Sequence, residues 1–262
     1  MAPRSGMRKL DRGDGSGETM TVKPALAART EAFDSYWQAP EDVERGYTSF
    51  NQYYRVNYLG RLPKDRQSRI LVVSCGPGYF VKLLRDEGYG SVEGIDSDPG
   101  KIAHAENRGL PCRVAEAFPF LETKVNAYDV IVCEQELNHL TKDETFAFLA
   151  LCRTALTPGG QLFVYGLNGA NPITGAEALA QNIDHFYTFT EYSLTQFLEH
   201  SGFRDVRVFP LELYVFYRNP LNYVGLAATT VLHLMFRALF TLYGKSAKIF
   251  TKKVAAVCTK PS

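Results

Sequence analysis

Much is scarce in this sequence, and each scarcity removes a class of function. Net charge is almost nil: 29 Lys and Arg against 28 Asp and Glu leave +1 over 262 residues. No compact block of Lys or Arg stands out, so no attraction to nucleic-acid phosphates is expected. The five cysteines, Cys75, Cys112, Cys133, Cys152 and Cys258, are scattered without a CxxC pair. That spacing offers no zinc arrangement and reads as reduced, buried thiols of a cytoplasmic protein; no metal is expected. The opening "MAPRSGMRKLDRGDGSGETMTVKP" lacks the pattern of a secretory leader. It is polar and Gly-rich, and residues 1–28 read as a disordered arm. No internal repeat is found.

What is present is ordinary globular composition, 45% hydrophobic and 22% charged, enough for one large α/β domain over 29–262. Residues 29–65 are aromatic and amphipathic: Phe50, Tyr53, Tyr54 and Tyr58 fall at helical spacing before Pro63. They form a helical cover, either plain packing over one end of a sheet or a wall facing substrate through Tyr54 and Tyr58. Strands and helices then alternate, which predicts a doubly wound sheet. The strands are "RILVVSC", "SVEGID", "PCRVA", "YDVIVC", "QLFVYG" after a "TPGG" turn, "FRDVRVF" and "KVAAVCT". Helix starts are marked by Asp98 with Pro99, by Thr141 with Glu144 in a capping box, and by Thr190; stops are marked by Gly88, Gly109 and Gly202.

The first strand runs into Gly76-Pro77-Gly78-Tyr79-Phe80-Val81. A dinucleotide site would place a third glycine where Val81 stands, and a phosphate-binding Walker loop would end in Gly-Lys-Ser/Thr; neither occurs. Asp96 ends the second strand, eighteen residues after Gly78. A carboxylate there suits the two hydroxyls of a ribose, and Asp98 is the better helix cap. Glu116, after the third strand, is either an acceptor for an adenine amino group or a solvated loop glutamate.

The glycine turn, Asp96, "YDVIVCEQELNHL" and "LTPGGQLFVYG" in that order resemble the class I S-adenosylmethionine-dependent methyltransferases. "DHFYTFTEYSLTQFLEHSGF" is similar to the small-molecule and glycan branch that includes the ubiquinone O-methyltransferases. The resemblance implies a Rossmann-like, seven-stranded, mostly parallel sheet with an antiparallel last strand, and S-adenosylmethionine as cofactor. It implies cofactor contacts from Ser74, Cys75, Gly76, Gly78 and Tyr79 around the turn, with Gly76 and Gly78 approaching the methionine. It also implies Asp96 and Ser97 at the ribose, Glu116 and Ala117 at the adenine, and Glu134 and Gln135 at the pocket mouth. The sequence departs from the family at Val72, usually acidic and close to the cofactor's amino group, and at Ser74, usually glycine.

If the acceptor is a hydroxyl, a general base assists, and histidine suits neutral pH. His139 in "ELNHL" and His185 in "NIDHFYTFT" are the candidates, with Tyr187 as a further substrate contact. No Asn-Pro-Pro-aromatic motif follows the fourth strand, which argues against methylation of nucleobase amino groups. Residues 211–249 insert an apolar stretch between the sixth and seventh strands, "NPLNYVGLAATTVLHLMFRALFTLYGKSAK" within it. A spanning helix conflicts with the chain's return to the sheet. Three readings stay open: a cap on the pocket, a homodimer surface, or helices in a membrane interface. The expectation is O-methylation of a small molecule, glycan or lipid-linked acceptor by a cytoplasmic or membrane-associated enzyme. The alternative is a non-catalytic relative that binds S-adenosylmethionine or S-adenosylhomocysteine and acts as an interaction or regulatory protein.

Overall fold

A computed structural model of the protein describes residues 40–212 and 220–262. The expected arm over 1–28 and the start of the aromatic cover lie outside them. Seven strands form one sheet: β1 (Ile70–Val73), β2 (Val92–Asp96), β3 (Cys112–Val114), β4 (Tyr128–Glu136), β5 (Leu156–Leu167), β6 (Arg204–Leu211) and β7 (Lys253–Thr259). Their order is β3-β2-β1-β4-β5-β7-β6. β7 pairs antiparallel with both β5 and β6, and the other neighbours pair in parallel. This is the Rossmann-like sheet with a reversed last strand that the sequence predicts.

The strand order reverses at β1, whose neighbours are β2 and β4, so ligands are expected over the carboxyl ends of these strands. β1 is buried throughout, as a strand covered on both faces must be. Its alternate side chains feed two cores: Ile70 and Val72 on one face, Leu71 and Val73 on the other. The first core packs under α1 (Pro40–Asn57), α2 (Tyr79–Asp86) and α3 (Pro99–Glu106). The second packs under α4 (Ala117–Glu122), α5 (Lys142–Ala155) and α7 (Glu191–His200), while α6 (Gly175–Ala180) follows β5.

Local signals explain most boundaries. Asp98 accepts hydrogen bonds from Gly100 N and Lys101 N, with Pro99 in the first turn of α3. Thr141 and Glu144 close a reciprocal capping box on α5, and Thr190 with Ser193 closes another on α7. Each such cap contributes about 1 kcal/mol. Three boundaries differ from expectation. β4 continues through Glu136, and β5 begins at Leu156, so the "TPGG" turn becomes an irregular strand start with Gly159 at φ 75° and pairing disturbed between Tyr128 and Val130. α3 stops at Glu106, before Gly109. Two short helices, α4 and α6, were not expected.

Among its described residues the insertion contributes one long helix, α8 (Pro220–Leu242). Its return to β7 is pinned where Lys248 N and Ile249 N donate to the Glu191 carboxylate, at 2.6 and 3.0 Å. At the other edge, Asn57 at the end of α1 exchanges two hydrogen bonds with the Glu212 backbone, at 2.8 and 2.9 Å.

Candidate active site

The glycine turn packs three left-handed residues into five positions: Ser74 (φ 56°), Gly76 (φ 54°) and Gly78 (φ 84°). Glycine tolerates this; Ser74 does so at a cost of about 1–2 kcal/mol. A Cβ on Gly78 would come within 2.9 Å of Leu110 and 3.2 Å of the Cys112 sulfur, so the turn sits tight on its neighbours. At Gly76 a Cβ would meet nothing within 4 Å, and the backbone faces open space. Asp96 clamps the turn from β2. Gly76 N donates to its Oδ2 at 2.8 Å, and Asp98 N donates to its Oδ1 at 2.9 Å. Burial pushes the Asp96 carboxyl up, and those two N–H groups oppose the shift. Each oxygen retains a lone pair for a further donor such as a ribose hydroxyl.

α1 lies over this turn. Tyr47 donates its hydroxyl to Pro77 O at 2.5 Å and packs edge-on against Tyr79 at 4.8 Å. Phe50 stacks on Tyr79 at 5.1 Å, and Tyr54 stacks on Phe80 at 4.5 Å. Gly46 is needed here, because a Cβ would fall 2.3 Å from the Tyr79 ring. Arg108 pairs with Glu44 and lies 3.9 Å over the Tyr47 ring, which ties α1 to the end of α3.

Next to the turn, Val72 on β1 pairs in register with Val132 on β4, and both are fully buried. Two residues further along the same face of β4 is Glu134. Tyr54 donates to its Oε2 at 2.8 Å, and Tyr165 donates to its backbone carbonyl at 2.6 Å. Its Oε1 is buried without a partner. Burial pushes the Glu134 carboxyl up to about 7, although the Tyr54 hydrogen bond and the charge of Lys253 pull the other way.

The 3₁₀ turn after β4 (Leu137–His139) meets the loop after α6. Asn138, fully buried, accepts from Leu167 N at 3.2 Å, and its carbonyl accepts from Phe186 N at 2.9 Å. These bonds bring together three side chains. His139 Nδ1 lies 3.1 Å from Asp184 Oδ2, off the hydrogen-bond axis, and the His139 and His185 rings meet edge-on at 4.6 Å. His185 Nδ1 sits 2.6 Å from Ala178 O, which fixes its proton there and leaves Nε2 as the open nitrogen. Asp184 is buried, and neither carboxylate oxygen has a hydrogen-bond partner. One ligand-type atom from each of the three residues falls within a 4.8 Å cluster. Sequence reasoning named both histidines and missed Asp184, whose signal was only its place beside His185.

The other candidates are placed as follows. Cys75 is buried, its sulfur 3.6 Å from Gly76 O, and Ser97 is half-buried after β2. Glu116 is exposed at the start of α4, where its side chain caps nothing, and Ala117 is half-buried beside it. Gln135 is in β4, but its side chain lies outside the described residues. Tyr58 is fully buried between Phe80 and Phe163, an inner wall rather than an open surface. The Tyr187 hydroxyl is tied to Thr145 and its ring stacks on Phe197 at 5.7 Å. Burial pushes that hydroxyl up to about 12.

A Rossmann-like sheet with a reversed last strand, a glycine turn and an acid closing β2 defines a class I S-adenosylmethionine-dependent methyltransferase, with S-adenosylmethionine as its cofactor. The family model for the methyltransferase domain matches residues 47–208, and the chain belongs to that family. It is 29% identical over 143 residues to a ubiquinone biosynthesis O-methyltransferase of Xylella fastidiosa, covering 52% of this chain and 56% of the relative. The chain thus spans about half the length of the curated relatives it matches. Its fold is similar to an Archaeoglobus fulgidus methyltransferase described as S-adenosylmethionine dependent (TM-score 0.57, 18% identity, 83% of this chain and 94% of the other). It is also similar to the Haemonchus contortus phosphoethanolamine N-methyltransferase 2 solved with S-adenosyl-L-methionine (TM-score 0.56, 16% identity, 84% and 57%). The residues present fit this cofactor: clear space at Gly76, the Asp96 carboxylate, and an orphaned buried oxygen on Glu134.

Proposed function

We propose that this protein methylates a hydroxyl oxygen on a small, largely apolar acceptor, with His139 as the proton acceptor. S-adenosylmethionine, when bound, supplies the methyl group on its sulfonium. The observation that carries the reading is the His139–Asp184 pair. The buried Asp184 carboxylate, without a hydrogen-bond partner of its own, lies 3.1 Å from His139 Nδ1 and stabilises that ring electrostatically once it has taken a proton. His185, with Nε2 open, positions the acceptor hydroxyl. Glu134 and the aromatic roof of α1 exclude water from the other side, and alignment of this kind carries much of the rate of a displacement reaction. The similarity to ubiquinone O-methyltransferases supports oxygen as the acceptor atom. Methyl transfer from labelled cofactor to a panel of catechols and alkylphenols tests this, with Asp184→Asn as the control variant. Cofactor binding with no transfer to any hydroxyl would favour the non-catalytic alternative.

A second observation supports acceptors held at a membrane surface. In α8 the 20 residues Tyr223–Leu242 are long and apolar enough to cross a membrane, and only 6% of that window is buried. His233, Phe236 and Phe240 share one face and surround Phe250, at 6.4, 5.8 and 4.9 Å. Val231, Leu234, Met235, Leu242 and Tyr243 remain exposed. From residue 213 onward the sequence has seven Lys or Arg and no Asp or Glu. That segment therefore carries +7, and the rest of the chain −6, within the total of +1. Arg237, Lys245 and Lys248 lie in and just after α8, and anionic lipid attracts them. The chain re-enters the sheet at β7, between β5 and β6, so the helix lies along the interface instead of crossing it.

A further inference from the structure

We propose that Glu134 binds the α-ammonium group of the cofactor's methionine moiety through its unpartnered Oε1. The proposal rests on the cofactor reading above and adds the residue that recognises this charge.

Strand order sets the direction in which the ligand lies. β1 lies between β2 and β4. A ligand whose ribose meets Asp96, at the end of β2, extends over the glycine turn toward the end of β4. There the strands offer Val72 and Val132, a buried apolar pair that cannot balance a cation. Two residues beyond Val132, the side chain on the same face is Glu134. Tyr54 holds one of its oxygens from α1, and the other points to no donor. A buried carboxylate oxygen without a partner is costly, and a cationic donor removes that cost. Burial holds a large share of Glu134 protonated near neutrality, so a bound cation drives the proton off.

The groups around Glu134 are accounted for. Tyr54, Tyr53 and Tyr58 approach from the α1 side, and burial raises Tyr54 and Tyr58 well above the ordinary phenol range. Tyr165 on β5 donates to the Glu134 carbonyl. Lys253 on β7 has its ammonium 5.3 Å from the Tyr165 ring centroid and lowers the Glu134 carboxyl only partly. The Tyr54 and Tyr58 hydroxyls therefore stay protonated near pH 7, and a difference in proton release between ligands with and without the amino group reports Glu134.

The test is calorimetric titration of the wild-type chain and Glu134→Gln with S-adenosylhomocysteine and with its analogue lacking the α-amino group. Wild type is expected to bind the amino compound on the order of 10- to 100-fold more tightly than the analogue. Glu134→Gln is expected to bind the two nearly alike, while its affinity for the analogue stays close to that of wild type. A second measurement needs no variant. At pH 6.5, in two buffers of different ionisation enthalpy, the amino compound should release up to about one proton on binding, and the analogue none. Equal affinities of wild type for both compounds, or no proton release, would overturn the assignment and leave cofactor binding intact. Failure of wild type to bind either compound or S-adenosylmethionine would overturn the cofactor reading together with it.

Discussion

Tyr54 Oη donates a 2.8 Å hydrogen bond to Glu134 Oε2 across 80 positions of sequence, joining the helical cover to the end of the central strand. The contact makes α1 part of the site as well as a roof over the glycine turn. It satisfies one oxygen of the Glu134 carboxylate, whose other oxygen is buried without a hydrogen-bond partner.

Glu134 makes stability depend on pH in a direction opposite to most carboxylates. Its folded value, about 7, lies above the ordinary 4.5, so the folded protein holds the proton more tightly than the unfolded chain. Stability is fully present below about pH 4.5 and declines as pH rises to about 7, by an amount on the order of 3 kcal/mol. Urea midpoints at pH 5 and pH 8 should differ in that sense for wild type, and Glu134→Gln should remove most of the difference. A variant whose midpoints differ as much as those of wild type would refute the assignment.

His139 and Asp184 should act as a unit. Asp184→Asn and His139→Ala are each expected to lower kcat about 10²-fold or more with little change in cofactor affinity, and the double variant should lose little beyond either. The same atoms offer a cation a ready cluster. Excess Zn²⁺ should therefore inhibit, EDTA should reverse the inhibition, and EDTA alone should leave activity unchanged. Strong loss of activity in EDTA would replace the general base with a metal.

Ser74 sits at φ 56° in the glycine turn after β1. Ser74→Gly should raise the urea midpoint, with a gain of about 1 kcal/mol after the entropy of the added glycine is subtracted. Cofactor affinity should hold or improve. A destabilised variant would mean that the serine side chain makes a contact worth more than its strain.

α8 should bring the protein to anionic vesicles. Flotation with phosphatidylglycerol-containing vesicles is expected to carry the wild type, with weaker association on pure phosphatidylcholine or at high salt. Val231→Glu with Leu234→Glu should abolish flotation and leave transfer to soluble acceptors unchanged. A lipid-free dimer in light scattering, broken by the same pair of substitutions, would assign the surface to a second copy instead.

The fold was legible because its signals are local. "KVAAVCT" coincides with β7, and Asp98-Pro99, Thr141/Glu144 and Thr190 start the helices they predict. α4 and α6 were not legible: one carries Pro119 inside six residues, and the other starts on a glycine. The "TPGG" stretch reads as a turn because glycine usually punctuates strands; its backbone is tied instead to the residue after β7, with Gly159 N donating to Lys260 O and Lys260 N donating to Gly160 O. The glycine turn and Asp96 are contiguous with strand ends, so their positions could be read from sequence. Asp184 could not, because a single acid in a loop gains meaning only when the fold sets it against His139. Nor could the state of Glu134, since Tyr54, Tyr165 and Lys253 reach it from three separate elements. Ser74 could be seen as a departure, but its left-handed backbone could not.

The most direct measurement is equilibrium binding of S-adenosylmethionine to the purified wild-type chain and to Asp96→Ala. The account predicts micromolar binding by wild type and at least a tenfold loss in the variant, since Asp96 clamps the turn at Gly76 and is the proposed acceptor for the ribose hydroxyls. Absence of binding by wild type, or equal binding by the two, would contradict it.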